Sequence, residues 1–478
     1  MNTYTAVNFF DPSVWQSIML VGILFASLIL ANILKARIPF LRKMLIPNAV
    51  LGGVILLIVS GICYAITGTY LFNMGAFSDG SGINILETIT YHCLAIGFIA
   101  MTLRPGEEGK RSKKRTTEIL NTGIATIGTY MIQGILGILI TLGCRVFIKD
   151  LAPASGLLMC FGYGQGTGQA LNIGKNFDTT LGTGSLYASM GLALAALGFL
   201  SACFVGVPYL NILRKRGLID PVKKEKSDEV MMQEIQRPDE PPLNESIDKM
   251  TVQIALVFVV YMAAYGMMYL IGNVILGGGG MIGTIYGFNF LFGVIAAVLY
   301  KNIVKFFKKN NMMHREYCNT FLLNRISGFA FDLMIVSGVC AIQIHLLKNF
   351  IVPIIILGIV GALVTFIYQR FVTKRLFPEY EHFQFLAFFG MLTGTASTGM
   401  ILLREADPDL KSPVSENLVY QNLPAIVLAI PLLFIASAIT NNAASVSTAI
   451  TMLGVLIAIF AILNIALFRS KLFKKKDK

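Results

Sequence analysis

Two short runs of this sequence carry residue types that can replace water around a small ion. The first is Phe161, Gly162, Tyr163, Gly164, Gln165, Gly166, Thr167, Gly168, Gln169 and Ala170. The second is Phe389, Gly390, Met391, Leu392, Thr393, Gly394, Thr395, Ala396, Ser397, Thr398, Gly399 and Met400. Each glycine costs a helix about 1 kcal/mol relative to alanine, so the glycine run predicts that the chain unwinds there. Unwound backbone frees carbonyls, which together with Ser or Thr hydroxyls can surround a cation such as sodium. Exposed N–H groups where a half-helix starts can hold a carboxylate. The candidate substrate- and ion-binding residues are therefore Gly164, Gln165, Gly166, Thr167 and Gly168, with Thr393, Gly394, Thr395, Ser397 and Thr398. Glycines and small hydroxyls also let membrane helices pack closely. Two such runs, in corresponding places of two halves, favour a substrate pathway over packing alone.

Ionisable groups inside apolar segments are costly and are read first as functional. Asp332, near the expected cytoplasmic end of its segment, is either an ion site or a carboxylate that snorkels or pairs with Arg325. Arg404 either reaches a substrate carboxylate with its fork of donors or pairs with Glu405 or Asp407. His92, Gln343 and His345 read as capping or packing groups. The seven cysteines form no CxxC pair and have no zinc spacing, so they read as small apolar residues. There is no P-loop pattern, no GxSxG and no HExxH, which argues against ATP hydrolysis and against an enzyme.

The elements that must hold these groups follow from composition. The chain has 478 residues, of which 55% are hydrophobic and only 14% charged, whereas soluble domains carry roughly 25% charged residues. Lipid has to cover much of it. Apolar runs of about 20 residues recur along the chain, long enough for helices to cross the hydrocarbon layer. Helices satisfy their own backbone hydrogen bonds, and the alternating ten-residue pattern of a barrel is absent. Spans are expected near Val14–Leu34, Leu45–Ile66, Asn84–Leu103, Glu118–Phe147 and Leu181–Leu210. A second set is expected near Thr251–Leu276, Met281–Tyr300, Ile326–Leu346, Ile351–Val372 and Asn417–Thr440, with one more near Ser445–Phe468. The start of the chain, Met1 to Ser13, has no Lys or Arg and so lacks the basic region of a signal peptide.

The net charge of +13 lies between the spans, where it reports topology and not nucleic-acid binding. Placing the basic loop of Lys35, Arg37, Arg42 and Lys43 in the cytoplasm leaves Arg145, Lys149, Lys175 and Lys348 outside or near it. The N-terminus is then outside, and the tail at Lys474 to Lys478 is cytoplasmic. This alternation survives only if the two glycine-rich stretches, about Ala154–Lys175 and Phe383–Leu403, enter and leave by one face as re-entrant hairpins. A polar stretch, residues 211–250, separates residues 1–210 from residues 251–440 and reads as a cytoplasmic linker. Five spans on each side make the two units inverted repeats, and residues 441–478 add an extra C-terminal helix and the basic tail. The expected fold class is thus an all-α polytopic membrane protein.

Specific motifs carry a family resemblance. Ile46, Pro47, Asn48, Ala49, Val50, Leu51, Gly52 and Gly53 resemble the Ile-Pro-x-x-Val-x-Gly-Gly start of the second span in the sodium:glutamate symporter family. Gly164 to Gly168 resemble that family's first glycine-rich hairpin, and Gly394 to Thr398 occupy the second. The likeness covers about residues 14–440. Three departures stand out. The family's Gly-Gly-His-Gly-Thr is replaced by Tyr163 to Thr167, and its Ala-Thr-Pro-Thr by Thr395 to Thr398. The extra final span has no counterpart in the family's ten-span pattern. The resemblance implies a homodimeric, elevator-type carrier of the cell inner membrane. Such a carrier would import glutamate or a related acidic amino acid or dicarboxylate with Na+ as coupling ion and no other cofactor. The alternatives are a proton- or sodium-coupled carrier of another organic anion, or a channel.

Overall fold

A computed structural model describes residues 8–105, 113–219, 248–278, 282–313, 317–408 and 411–473. Most of the linker and the basic tail therefore lie outside the described residues. Among those described, the chain is helical throughout and has no strand. Eleven helices are long and apolar enough to cross a membrane.

The first half consists of α1 (Pro12–Arg37), α2 (Pro39–Lys43), α3 (Asn48–Thr67), α4 (Gly82–Leu103) and α5 (Lys113–Cys144). It continues through α6 (Leu158–Gln165), α7 (Thr167–Leu181), α8 (Leu186–Ser201) and α9 (Val207–Lys215), the last two joined by a π-turn at Ala202–Gly206. The second half consists of α10 (Lys249–Tyr269), α11 (Ile282–Gly287), α12 (Asn289–Lys309), α13 (Thr320–Cys340) and α14 (Ile351–Leu376). Then come α15 (Glu381–Thr393), α16 (Ala396–Ala406), α17 (Val414–Tyr420), α18 (Asn422–Asn441) and α19 (Val446–Phe473). Helix starts follow local chemistry. Asp11 accepts a hydrogen bond from the Ser13 N–H at 3.1 Å ahead of Pro12, and Asn319 accepts one from the Leu322 N–H at 2.8 Å.

Several boundaries differ from the sequence expectation, and two of them change where singled-out residues lie or how a span is built. The seventh span is divided at Phe288 into the short α11 and the spanning α12. The eighth ends at Cys340, and residues Ile344–Phe350 form a 3₁₀ turn leading into α14, because Asn319 starts α13 earlier than hydropathy alone indicates. Gln343 and His345 consequently lie beyond α13. His345 Nδ1 meets the Tyr70 hydroxyl, and His92 Nδ1 meets the Tyr261 hydroxyl at 2.8 Å, so both act as packing and hydrogen-bonding groups.

Packing sorts the helices into two neighbourhoods. In one, α4 lies against α13 and α12, α3 lies against α1 and α13, and α10 lies against α12. In the other, α5 lies against α14, α18 and α19, while α6 and α7 lie against α8, and α15 against α14 and α16. The backbone of α5 closes on the segment before α6 at Gly137 and Gly156. A Cβ at either glycine would stand within about 2 Å of the other's carbonyl oxygen, so no larger residue fits.

The crossing of α5 and α14 is polar and reciprocal. Gln133 Nε2 donates to Thr365 Oγ1 at 2.8 Å, and Gln369 Nε2 donates to Thr129 Oγ1. Each helix thus contributes a Thr-x-x-x-Gln pair, one helical turn apart, to its mirror pair. All four side chains are fully buried, and the crossing pairs both amide nitrogens while the Oε1 atoms of Gln133 and Gln369 have no partner among the described residues.

Candidate functional site

Both glycine-rich runs break as expected. Gly166 ends α6 with φ 80° and ψ −171°, a conformation open in practice only to glycine, and α7 begins at the next residue. In the second run α15 ends at Thr393, Gly394 turns the chain, and extended Thr395 precedes α16. α16 folds back along α15, with Gly399 close to the carbonyl of Ala387 and the Cβ of Met391. Neither α7 nor α16 has a side-chain cap, so the first N–H groups of each have no side-chain acceptor. The breaks touch: a Cβ on Gly166 would lie 3.3 Å from Thr395 Cγ2 and 3.8 Å from the Gly394 carbonyl oxygen. Gly162, Gly166 and Thr167 match Gly390, Gly394 and Thr395 at one constant spacing.

Two side chains of α5 support the breaks. The Tyr130 hydroxyl donates to the Gly164 carbonyl at 2.9 Å, and Gln133 Nε2 donates to the Leu392 carbonyl at 3.1 Å. One helix therefore fixes the distance between the two half-helix ends.

A cavity of about 110 Å³ lies against this junction. Gly164, Gln165, Gln169, Gly394 and Thr395 line it from the two breaks. Phe98, Phe331 and Met334 are among its apolar walls, and Thr126, Gln421 and Asn422 supply polar edges. Thr126 and Gln421 satisfy each other at 2.9 Å. Gln169 is only 1% exposed, yet neither its Nε2 nor its Oε1 has a partner; Gln165 Nε2 is also unpartnered. A buried amide with both atoms unpaired is costly, so Gln169 has hydrogen-bonding capacity left for a water or a bound solute.

Of the residues singled out in the sequence, Gly164, Gln165, Gly394 and Thr395 face the cavity, and Gly166 forms the contact between the breaks. Thr167 donates to the Met334 carbonyl at 3.3 Å and Gly168 packs on Leu94 and Met334, and neither is among the residues that line the cavity. The Thr393 hydroxyl donates back to the Phe389 carbonyl at 2.7 Å, the Thr398 hydroxyl lies 3.5 Å from that of Thr395, and Ser397 is exposed. Asp332 and Arg404 are exposed and are not among the lining residues. Asp332 stands past the middle of α13 and not near either end of it, and the Arg325 guanidinium lies over the Phe321 ring, 5.1 Å from its centroid. Glu405 pairs with Arg214 at 3.1 Å, and Asp407 accepts from the backbone N–H groups of Lys411 and Ser412, so neither serves Arg404.

Sequence reasoning missed Tyr130, Gln133 and the cavity-facing Thr126, Gln421 and Asn422. The signal that could have found Gln133 is the repeated Thr-x-x-x-Gln of Thr129/Gln133 and Thr365/Gln369 inside otherwise apolar helices.

The cavity adjoins a second chamber of about 450 Å³, with Phe98, Met101, Asn422 and Ile426 bordering both. Arg104 and Lys301 border the outer chamber, at the C-terminal end of α4. At the other end of α4, Glu87 Oε2 and Lys175 Nζ form an ion pair at 2.7 Å that ties α4 to α7. No group of three or more His, Cys, Asp or Glu side chains suited to a metal occurs among the described residues. Any cation held here would therefore rely on carbonyl and hydroxyl oxygens.

Comparison with known proteins gave one family. The model described as Sodium/glutamate symporter matches residues 14–401, more than half of the chain. The search of curated proteins found no match.

Proposed function

Since the chain belongs to the sodium/glutamate symporter family, we propose that it is a sodium-coupled symporter importing an amino acid of glutamate's size. Glutamate, the substrate in the family's name, is the first to be tried. The observation that carries this reading is the meeting of two uncapped half-helix starts, at Thr167 and Ala396, beside a cavity bordered by both glycine-rich breaks. Half-helix N–H groups favour a substrate carboxylate. Freed carbonyls and the hydroxyl of Thr395 give a sodium ion the oxygen shell it needs, with Gly164, Gln165, Gly166, Thr167, Gly168, Thr393, Gly394, Thr395, Ser397 and Thr398 as the proposed neighbourhood.

The proposal includes the mechanism. Residues 1–210 and 251–440 are taken as inverted repeats, a reading supported by the reciprocal Gln–Thr pairs of α5 and α14 and by the matched Gly-x-x-x-Gly-Thr of the two breaks. In inverted repeats the two units exchange conformations, which opens the site to either side in turn. The α6/α7 and α15/α16 pairs act as re-entrant hairpins and travel with α5 and α14, in the manner of an elevator. The neighbourhood of α1, α3, α10 and α12 supplies the scaffold and the dimer contact. The outer chamber, which borders basic Arg104 and Lys301, is read as the cytoplasmic route. The N-terminus is then outside and the C-terminus cytoplasmic in the inner membrane.

The test is uptake of radiolabelled amino acids by proteoliposomes, with an inward sodium gradient and then with choline or potassium in place of sodium. Accumulation above equilibrium with sodium alone is expected. Uptake that ignores sodium and follows a proton gradient would move the coupling to protons, and flux that never concentrates its solute would make the chain a channel.

A further inference from the structure

We infer that the cavity between the helix breaks selects an uncharged carboxamide side chain, that of glutamine or asparagine, over the carboxylate of glutamate. This rests on the reading above that the cavity is the substrate site. Three observations lead to it.

The first is charge. Among the described residues, none that lines the inner cavity is Lys, Arg, His, Asp or Glu. The nearest cations on the route, Arg104 and Lys301, border only the outer chamber and are committed there. Lys301 Nζ donates to the carbonyls of Thr102 and Arg104 at 3.2 and 2.8 Å, and Arg104 donates to Asn324 Oδ1 at 2.6 Å. The two uncapped helix starts and a co-transported sodium ion serve the main-chain carboxylate, which glutamate and glutamine share. Glutamate's second carboxylate would enter an aromatic and methionine-walled space without a counter-charge, and burying such a charge unpaired is strongly unfavourable.

The second is the hydrogen-bonding chemistry of Gln169. Its donor and its acceptor are both unpartnered in a side chain that is 99% buried and faces the cavity. A primary carboxamide answers both at once, its N–H donating to Oε1 and its carbonyl accepting from Nε2. A carboxylate can only accept, and would leave the Gln169 Oε1 facing another oxygen. The third is Gln165, whose unpartnered Nε2 offers one more donor to the same guest carbonyl. A site whose buried polar groups match one partner rejects an isostere that leaves them unpaired.

The experiment uses the full chain in proteoliposomes under an inward sodium gradient, with labelled glutamine and labelled glutamate measured side by side and each used to compete with the other. Sodium-dependent accumulation of glutamine is expected, with glutamate needing at least about tenfold higher concentration to compete. The Gln169→Leu variant should lose most of that preference, and Gln165→His, which adds a group able to carry positive charge, should narrow it. Equal or better accumulation of glutamate by the wild-type chain would overturn the inference and leave the symporter intact. Sodium-independent behaviour, or failure of folded protein to accumulate either amino acid, would overturn the symporter reading and the inference with it.

Discussion

At the scale of single residues, the site depends on backbone shape more than on charged groups. Gly166 holds a φ of 80° with an extended ψ, which a side chain tolerates only at a cost of about 1–3 kcal/mol. Gly166→Ala also pushes a methyl against Thr395 Cγ2. The expected outcome is a lower melting temperature in detergent and a loss of most sodium-dependent uptake. If Gly166→Ala melted and transported like the parent, the break would not be the point of substrate contact. The sequence already marked this position, because the glycines crowded from Gly162 to Gly168 predict a break in the helix. It did not mark Gln169 apart from its neighbours. Its importance comes from lacking a partner, a property of the surroundings and not of the residue type.

At the scale of elements, two couplings can be tested separately. Gln133 bonds both Thr365 on α14 and the Leu392 carbonyl at the second break, whereas Gln369 bonds Thr129 alone. Each net hydrogen bond contributes about 1 kcal/mol. Gln133→Leu should therefore lower stability in a denaturation series more than Gln369→Leu does, and it alone should also reduce uptake through the second hairpin. Equal losses would mean that the Leu392 contact adds nothing. The Glu87–Lys175 pair links α4 to α7 at the end of α4 away from the outer chamber, with the Glu87 side chain 9% exposed and that of Lys175 35% exposed. A double-mutant cycle with Glu87→Gln and Lys175→Met is expected to show a coupling of about 0.5–3 kcal/mol, toward the lower end because Lys175 retains contact with solvent. If the pair also holds the site closed on that side, Glu87→Gln should raise labelling of a cysteine placed at Leu94 by an impermeant reagent added outside. Unchanged labelling would reduce the pair to a structural bond.

At the scale of the whole molecule, α19 lies along α5 and is tied to α14. The Tyr368 hydroxyl donates to Asn464 Oδ1 at 3.1 Å, and the Arg375 guanidinium lies 5.8 Å from the Phe468 ring centroid. α19 thus covers one side of α5, the helix that makes the polar crossing with α14. A chain ending at Ser445 is expected to reach the membrane yet melt several degrees lower and transport more slowly. Full activity and an unchanged melt would show that α19 is dispensable to the carrier. The topology is open to a separate check. In a cysteine-free background, cysteine at Phe9 should react from outside and cysteine at Asn311 only from the cytoplasm; the reverse pattern would invert the assignment of the outer chamber.

The sequence by itself determined that the chain is helical, that its apolar segments long enough to cross a membrane number eleven, and that the helices break at two glycine-rich runs. These properties are local. Hydropathy, glycine content and the spacing of basic loops are sums over neighbouring residues, so no long-range contact is needed to read them. Only the tertiary structure decided that Gly166 touches Thr395, that Thr167 and Thr393 turn away from the cavity, and that Asp332 and Arg404 stand outside it. It also decided that the glutamines of α5 and α14 answer each other. Where a side chain points depends on which helix packs beside it and on the exact turn at which its own helix starts. The shift of α13 to Thr320 moves Asp332 from the predicted end of a span to beyond its middle. Depth, partners and burial are relations between distant segments, and a linear pattern of apolar residues leaves them free.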